Sequence, residues 1–199
     1  MGTSAEEAKR IKRSHFRRER GALSAAQEQA RAQRLGDLSA TSPLLHDAAT
    51  IAAYIACDGE IDPALLVAQR AAAGVQILLP RILPDRLLEF APAAAYGEPL
   101  VLGPHGILQP SGGTIELGAP PQPRLMLVPS VALDRQGRRL GRGGGYYDRL
   151  LPAARRHGWV IVGLCHAEHL VDTLPVEDHD ARVDACLTND GLLIPSLGG

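Results

Sequence analysis

The chain has 199 residues, of which 45% are hydrophobic and only 4% aromatic. This length suits one domain over residues 1–199, with a core packed mainly by alanine, leucine and valine. The formal net charge of -1 excludes a general attraction to nucleic acid or to acidic membranes, so such partners would need a local basic patch.

The cysteines and the N-terminus indicate the cellular compartment. Cys57, Cys165 and Cys186 are odd in number, far apart and without a Cys-x-x-Cys pair, which argues against a disulfide framework and a structural zinc site. The charged N-terminus lacks the apolar core of a signal peptide, and no apolar run reaches the roughly 20 residues of a membrane span. We expect a cytoplasmic protein that contacts neither membrane nor nucleic acid.

Two helices are predicted at the N-terminus. A capping box at residues 4–7 opens a helix that runs to about Ala22, and a second box at residues 24–27 opens a helix that Gly36 should stop. The first helix holds seven basic residues: Lys9, Arg10, Lys12, Arg13, Arg17, Arg18 and Arg20.

Three of these basic residues, Lys9, Arg13 and Arg17, share one helical face. Because unpaired like charges repel, acidic groups or a bound anion should face them. A merely solvated basic face is an open alternative. A nucleic-acid-binding arm is another, although such arms interleave aromatic residues and only Phe16 is present.

The next segments predict a parallel sheet. Residues 50–56 are a short apolar run typical of a buried strand, Asp62-Pro63 starts a helix that ends before Gly74, and residues 75–79 form the next strand. A strand, helix and strand at this spacing form a right-handed crossover unit. We predict an α/β fold, a three-layer sandwich with a mostly parallel central sheet flanked by helices, plus the N-terminal helical pair.

The remaining elements are less regular. Residues 97–113 predict loops with an edge hairpin, and Asp134 with Gly137 predicts a turn. A helix is predicted over residues 146–156, with Pro152 interrupting or kinking it. Further strands are predicted at residues 87–90, 125–129, 160–165 and 183–187.

The histidines allow two interpretations. His105 is taken as a loop histidine. His166, His169 and His179 invite a metal-site interpretation, but their spacing fits no helical pair, so surface or loop histidines are the alternative.

The most informative stretch is Arg139 to Asp148, Arg-Leu-Gly-Arg-Gly-Gly-Gly-Tyr-Tyr-Asp. Its four glycines precede a predicted helix, so bare peptide N–H groups and the helix N-terminus can converge on an anion. The two arginines and Asp148 complete a set suited to a polyphosphate with its divalent cation. The string is neither a Walker A loop nor a dinucleotide fingerprint, since Lys-Ser/Thr is absent and Tyr146 replaces the third glycine. A generic glycine-rich turn is the open alternative.

This string closely resembles the signature of the 5-formyltetrahydrofolate cyclo-ligase family, also called methenyltetrahydrofolate synthetase, and the resemblance extends over nearly the whole chain. Lys9 and Arg13, spaced Lys-x-x-x-Arg, match the family's N-terminal nucleotide-binding pair. Tyr54 and Glu60 reproduce a Tyr-x-x-x-x-x-Glu spacing in which the glutamate binds folate, and Ile55 occupies the neighbouring substrate position.

Further segments extend the resemblance, with departures. Residues 129–134 are similar to the family's Pro-Gly-Val-Ala-Phe-Asp. Residues 105–110 look like its aromatic-x-Ile-Pro-Glu-Pro segment, but carry His105, Leu108 and Gln109 in place of the aromatic residue, proline and glutamate. Residues 177–184 match Glu-x-His-Asp-x-x-x-Asp.

The resemblance implies the site residues. Arg142 and Tyr147 would be catalytic, and Asp148 with Asp180 would hold a magnesium ion among phosphate oxygens and waters. The ATP-binding residues would be Lys9, Arg13, Arg139, Leu140, Gly141, Arg142, Gly143, Gly144, Gly145, Tyr146 and Tyr147. The substrate-binding residues would be Ile55, Glu60, Arg142, Gly143, Gly144, Gly145 and Tyr146.

The resemblance also implies the reaction, which is ATP- and Mg²⁺-dependent closure of 5-formyltetrahydrofolate to 5,10-methenyltetrahydrofolate with release of ADP and phosphate. We expect a monomer acting on these two small molecules. Two other classes stay open from the residues alone: another phosphate-handling α/β protein, such as a sugar-phosphate isomerase or CoA transferase relative, and a non-catalytic nucleotide- or RNA-binding module built on the basic helix.

Overall fold

The computed structural model describes residues 4–93, 99–175, 177 and 180–195. The helices of this part of the chain are α1 (Ala5–Arg20), α2 (Ala25–Thr41), α3 (Pro43–His46), α4 (Ala64–Ala72) and α5 (Tyr146–Arg156). Its strands are β1 (Thr50–Ala52), β2 (Gln76–Ile82), β3 (Leu88–Pro92), β4 (Leu100–Leu102), β5 (Leu108–Pro110), β6 (Arg124–Pro129), β7 (Ala132–Asp134), β8 (Arg139–Leu140), β9 (Trp159–Leu164), β10 (Leu170–Val171), β11 (Ala185–Thr188) and β12 (Gly191–Leu193).

The central sheet of the described residues has the order β12-β11-β9-β6-β1-β2-β3. Pairs from β11 to β2 are parallel, whereas the edge strands β12 and β3 run antiparallel to their neighbours. The parallel pairing of β1 with β2 across α4 is the crossover unit that the sequence predicts. The mostly parallel α/β fold is therefore confirmed.

Side chains alternate between the two faces of this sheet, as the two-residue strand period requires. Along β6, Leu125 and Leu127 face the core that contains Leu35 of α2 and Leu66 of α4. Met126 and Val128, between and beyond them, face the core that contains residues of α5. Helices thus cover both faces, which confirms the three-layer arrangement.

The two N-terminal helices begin at their predicted caps. Ser4 Oγ accepts the Glu7 N–H at 3.2 Å, and α1 ends at Arg20, two residues before the predicted end. The prediction that Gly36 ends α2 is wrong, because the helix continues to Thr41. A Cβ at Gly36 would lie 3.0 Å from Leu65 Cγ, so this glycine allows α2 and α4 to approach closely instead of ending the helix.

The first helix packs apart from the central sheet. Phe16 of α1 contributes to a separate cluster with Val131, Ala132, Leu140 and Leu174. This cluster lies on a small sheet of order β10-β7-β8. The basic helix is thereby held beside the segment that follows β8.

The β7–β8 hairpin was missed by the sequence analysis, which predicted only a turn between the strand at residues 125–129 and the glycine-rich string. The predicted turn at Asp134 is confirmed: its buried carboxylate accepts the N–H groups of Gln136 and Arg138 and pairs with the Arg138 side chain. The chain therefore turns back through β8 before the glycines. A two-residue strand such as β8 has no periodicity for a sequence pattern to detect.

Other predicted elements are confirmed, some of them with shifted ends. The edge hairpin exists as β4 paired antiparallel with β5. The helix at residues 146–156 is present with its predicted bounds, and Pro152 lies inside it without interrupting it. The strand expected at 183–187 begins at Ala185, and its antiparallel neighbour β12 was not predicted.

Candidate functional site

A cavity of about 440 Å³ opens beyond the carboxyl ends of β1 and β6, where α/β sheets commonly bind ligands. The residues predicted for the site that line it are Ile55, Glu60, Arg139, Gly141, Arg142, Gly143, Gly144, Gly145, Tyr146, Tyr147 and Asp148. Lining residues that sequence reasoning did not assign to the site include Cys57, Pro80, Ile82, Arg86, Leu88, Ile107 and Pro129.

The glycine loop forms one wall of the cavity. Gly143 and Gly145 have φ angles of 99° and 71°, which favour glycine, and Gly145 is the N-cap of α5 without a side-chain capping bond. Within the described residues, the N–H groups of Gly143, Gly144 and Gly145 donate to no protein acceptor. Free N–H groups ahead of a helix N-terminus form a site that attracts anions.

Arg139 lies beneath this loop and is 8% exposed. Its Nη2 donates to Asp148 Oδ1 at 2.7 Å, and its guanidinium lies 5.8 Å from the centre of the Tyr147 ring. A Cβ at Gly141 would approach Arg139 Nη1 to 2.7 Å, so a side chain at position 141 would displace this guanidinium. The loop is therefore held in place by a buried cation.

Arg142 reaches from the glycine loop to the segment that follows β1. Its guanidinium pairs with Asp58, donates to Cys57 Sγ and lies 4.0 Å from Glu60 Oε1. This contact spans 84 residues of sequence, so no local pattern could have indicated it. Cys57, which lines the cavity, and Asp58, which pairs with Arg142, are residues of the candidate site that the sequence analysis missed.

Glu60 is a buried carboxylate on the opposite wall. Burial raises its pKa, and the charge of Arg142 and a hydrogen bond from the Cys57 N–H oppose that effect. Burial, together with the Glu60 charge, also raises the pKa of Cys57 to about 11, so its thiol is protonated near neutral pH. The cavity therefore places an acceptor group opposite the cationic loop.

The two tyrosines of the string differ in their surroundings. Tyr146 Oη lies 3.0 Å from His105 Nε2, and the two rings meet edge to face. His105 is a loop histidine as expected, in the turn between β4 and β5, yet it lines the cavity. Burial raises the pKa of Tyr147, which packs against the core cluster under α5.

The predicted N-terminal pair approaches the loop from outside the cavity. Arg13 Nε donates to Gly141 O at 2.9 Å, and Lys9 Nζ contacts Asp180 Oδ2 at 2.6 Å and Glu177 Oε2 at 2.5 Å. Acidic groups thus face Lys9, one of the two possibilities that the like-charge row allows. Leu140 contributes its side chain to the cluster around Phe16, so only its backbone adjoins the loop.

Magnesium would find carboxylate oxygens here, which are the donors it prefers. Asp148 lines the cavity with one oxygen bound to Arg139, whereas both oxygens of Asp180 contact Lys9. The described residues contain no group of three His, Cys, Asp or Glu arranged to hold a metal. This donor set fits a cation that takes few protein ligands and several phosphate and water oxygens.

The histidine metal site finds no support in the described residues. Both ring nitrogens of His166 are engaged, by Arg31 and by Gly59 O, and His169 packs its ring against Phe16. His179 lies outside the described residues. No helix in the described part of the chain is long and apolar enough to span a membrane.

Comparison with known proteins gives a consistent result. The model of the 5-formyltetrahydrofolate cyclo-ligase family matches residues 5–189. The 5-formyltetrahydrofolate cyclo-ligase of Escherichia coli (strain K12) is 32% identical over 178 residues, covering 87% of this chain and 96% of that protein. The Mycolicibacterium smegmatis enzyme of the same name is 32% identical over 149 residues, covering 70% and 73%.

Solved structures show the same fold. The 5,10-methenyltetrahydrofolate synthetase of Aquifex aeolicus superposes with a TM-score of 0.79 at 24% identity, covering 96% of this chain and 94% of that one. The synthetase of Mycoplasma pneumoniae superposes with a TM-score of 0.71 at 21% identity, covering 91% and 98%.

Proposed function

We propose that this chain, which belongs to the 5-formyltetrahydrofolate cyclo-ligase family and is an enzyme of that kind, closes 5-formyltetrahydrofolate to 5,10-methenyltetrahydrofolate in an ATP- and magnesium-dependent reaction. A formamide oxygen is a poor leaving group, so N10 cannot displace it directly. Phosphorylation of that oxygen supplies the missing leaving group.

The proposed reaction has two steps. First, the formyl oxygen attacks the γ-phosphorus of ATP; a new P–O bond forms, the bond to the ADP oxygen breaks, and ADP leaves. Second, N10 attacks the formyl carbon, losing its proton, and the C–O bond breaks with departure of phosphate. The products are the methenyl cation, ADP and phosphate, and no residue forms a covalent intermediate.

The observation that carries this proposal is the glycine loop, which lines the same cavity as Arg142 and Glu60 and whose N–H groups at residues 143–145 donate to no acceptor among the described residues. Phosphoryl transfer depends mainly on positioning and charge neutralisation. We assign the N–H groups of residues 143–145 and Arg142 to the phosphates, with Arg139 adding positive charge beneath them. Lys9 and Arg13 would join them on the outer side of the loop.

The folate is assigned to the rest of the cavity. Glu60 would accept hydrogen bonds from pterin or amide N–H groups, and Ile55 and Tyr146 would pack on the flat ring system. Tyr147, next to Arg139, would help to fix the catalytic arginines. The shared cavity would bring the formyl oxygen close to the terminal phosphate.

Magnesium, held by Asp148 and Asp180 with phosphate oxygens, would neutralise charge on the triphosphate. Before Asp180 could contribute, its carboxylate would have to exchange its contacts with Lys9. Asp148 already lines the cavity and offers its second oxygen. We therefore expect Asp148 to be the more important of the two.

The test is an assay of purified protein with 5-formyltetrahydrofolate, ATP and Mg²⁺, which should show growth of the methenyl absorbance. Omission of either ATP or Mg²⁺ should abolish it. Arg142→Ala and Asp148→Asn should each lose turnover by about 100-fold or more while keeping the native circular dichroism spectrum. Folded wild-type protein without any absorbance growth would refute the proposed reaction, and near-normal rates in both variants would refute the site assignment.

We also propose that the enzyme acts as a cytoplasmic monomer, as the sequence predicts. Size-exclusion chromatography with light scattering should give a mass near 21.1 kDa. A stable dimer would contradict this part of the proposal.

A further inference from the structure

The segment from Cys57 to Glu60 has an unusual backbone. Asp58 and Gly59 have φ angles of 51° and 68°, so two consecutive residues adopt a left-handed conformation that non-glycine residues rarely take. This segment carries Cys57 and Glu60 into the cavity and Asp58 to Arg142. The Glu60 N–H donates to Cys57 O at 3.1 Å and closes the segment as a turn, so contacts from outside the cavity are needed only to fix where this turn lies.

His166 contacts the centre of the segment from behind. Its side chain is buried, with the residue 3% exposed, and its Nε2 lies 2.9 Å from Gly59 O. Arg31 Nη1 lies 2.9 Å from the other ring nitrogen, Nδ1. An arginine only donates hydrogen bonds, so Nδ1 accepts and the proton of the neutral ring lies on Nε2, which donates to Gly59 O.

Arg31 is itself held in place. Its Nη2 contacts Glu168 Oε1 at 2.5 Å, and its side chain is 16% exposed. The result is a hydrogen-bonded chain from Glu168 through Arg31 and His166 to Gly59. It joins α2 and the turn after β9 to the segment that carries Glu60.

A second contact limits the same segment. A Cβ at Gly59 would lie 3.3 Å from Cβ of Arg20, so α1 packs directly on this glycine. Arg20 is 3% exposed, and its Nε and Nη1 have no acceptor within the described residues. Packing from α1 and the hydrogen bond from His166 together restrict the position of Gly59.

We propose that His166 is a positioning residue for substrate binding: by donating from Nε2 to Gly59 O, it holds the Cys57–Glu60 segment so that the Glu60 carboxylate faces the folate. This inference rests on the proposed function for the role of Glu60. His166, one of the three histidines that invited a metal-site interpretation from the sequence, therefore supports the wall of the folate cavity.

Protonation of His166 would break the chain, because Nδ1 could no longer accept from Arg31. The groups that face this ring are Arg31 from α2, Arg20 from α1, and Glu168 and His169 from its own turn. Burial lowers the pKa of His166, an effect that Gly59 O opposes and the arginines reinforce. The His166 ring therefore stays neutral when the pH falls to the ordinary pKa of histidine. Its contact with Arg31 is lost only at lower pH.

The test compares His166→Leu, which removes both ring contacts, with His166→Gln, whose amide can donate to Gly59 O and accept from Arg31. For the leucine variant we expect KM for 5-formyltetrahydrofolate to rise about 5- to 10-fold, the effect of one hydrogen bond, with KM for ATP changed less than about twofold. The glutamine variant should recover most of the loss. His46→Leu, at an exposed histidine, serves as the control.

Arg31→Met provides an independent check, because it frees His166 to carry its proton on Nδ1 and to turn a lone pair toward Gly59 O. Arg31→Met should therefore raise KM for the folate, as His166→Leu does. An unchanged folate KM in folded His166→Leu would overturn the inference. The inference would also be overturned if KM for the folate and KM for ATP rose equally in His166→Leu and His166→Gln did not reverse the rise. That pattern indicates a general loss of structure.

Hydrogen exchange separates this inference from the proposed function, because it needs no turnover. In the ligand-free protein, His166→Leu should speed deuterium uptake in peptides covering residues 57–60 and leave the α5 peptides unchanged. If wild-type protein shows no turnover, the proposed function fails while this measurement still tests the contact. Equal uptake in variant and wild type would overturn the positioning role.

Discussion

Lys9 Nζ lies 2.8 Å from Asp180 Oδ1 and 2.6 Å from Oδ2, so a residue expected to bind phosphate is paired with a residue expected to bind magnesium. The Lys9 side chain is 4% exposed, and Glu177 completes the contact. Burial alone would lower the pKa of Lys9, but hydrogen bonds to Asp180 and Glu177 raise it overall. Lys9 therefore stays charged at neutral pH.

The first prediction concerns the stability that this pair contributes. Lys9→Met should lower the free energy of unfolding by about 3 kcal/mol, because it removes the cation that contacts the partly buried carboxylates of Asp180 and Glu177. Urea unfolding measures the change, and Lys12→Met, on the same helix, should cost less than about 0.5 kcal/mol.

A double variant tests the pairing itself. Lys9→Met combined with Asp180→Asn should lose less stability than the sum of the two single changes, since the second substitution removes a charge that the first left unpaired. Strict additivity of the two losses would contradict a direct interaction between these side chains.

The second prediction concerns the glycine loop. Gly143→Ala should raise KM for ATP at least 10-fold and cost about 1–2 kcal/mol, because φ at this position is 99° and a side chain there is strained. Gly112→Ala is the matched control: nothing lies within 4 Å of a Cβ there, and φ is not in the left-handed region. Steady-state kinetics with varied ATP distinguishes the two, and equal effects in both variants would argue against a special role for the loop.

The third prediction concerns Glu60 and pH. Because its folded pKa lies above the ordinary value of 4.5, the folded state binds more protons than the unfolded state, and stability falls as the pH rises from about 4.5 through the folded pKa. Glu60→Gln removes this cost and should be more stable than wild type at pH 7. The difference should disappear below pH 4.5.

The gain in stability of Glu60→Gln should be accompanied by a loss of function. Glu60→Gln should raise KM for the folate, since a neutral amide is a weaker acceptor than a carboxylate. Chemical denaturation at several pH values and kinetics at pH 7 give the two readouts. A variant less stable than wild type at pH 7 would show that ionised Glu60 stabilises the fold.

The fourth prediction concerns His169. Burial, reinforced by His166, lowers its pKa to about 4, so the unfolded state binds more protons between pH 4 and 6.5 and stability falls as the pH drops through this range. His169→Phe retains the packing against Phe16, whose ring lies 4.7 Å away, and removes the titration. Between pH 7 and 4 wild type should lose up to about 3 kcal/mol more than the variant. Parallel pH profiles would refute this explanation.

Local features were predicted well where neighbouring residues decide them. The Ser4 cap, the Asp134 turn and the helix at residues 146–156 depend on hydrogen bonds and backbone preferences within a few positions. Gly36 was misjudged because its role is set by Leu65 on another helix. The β8 strand was missed because two residues are too few to show a pattern.

The sequence by itself determined the α/β class, the position of the glycine loop and the candidate phosphate-binding residues, because helix periodicity, strand patterning and bare backbone are encoded in adjacent residues. Only the tertiary structure decided which distant groups meet: Arg142 with Asp58, Lys9 with Asp180, and His166 with Gly59. These contacts join residues that are 84 to 171 positions apart. Their formation depends on how strands order in the sheet and how α1 packs beside it, and no local pattern of residues carries that information.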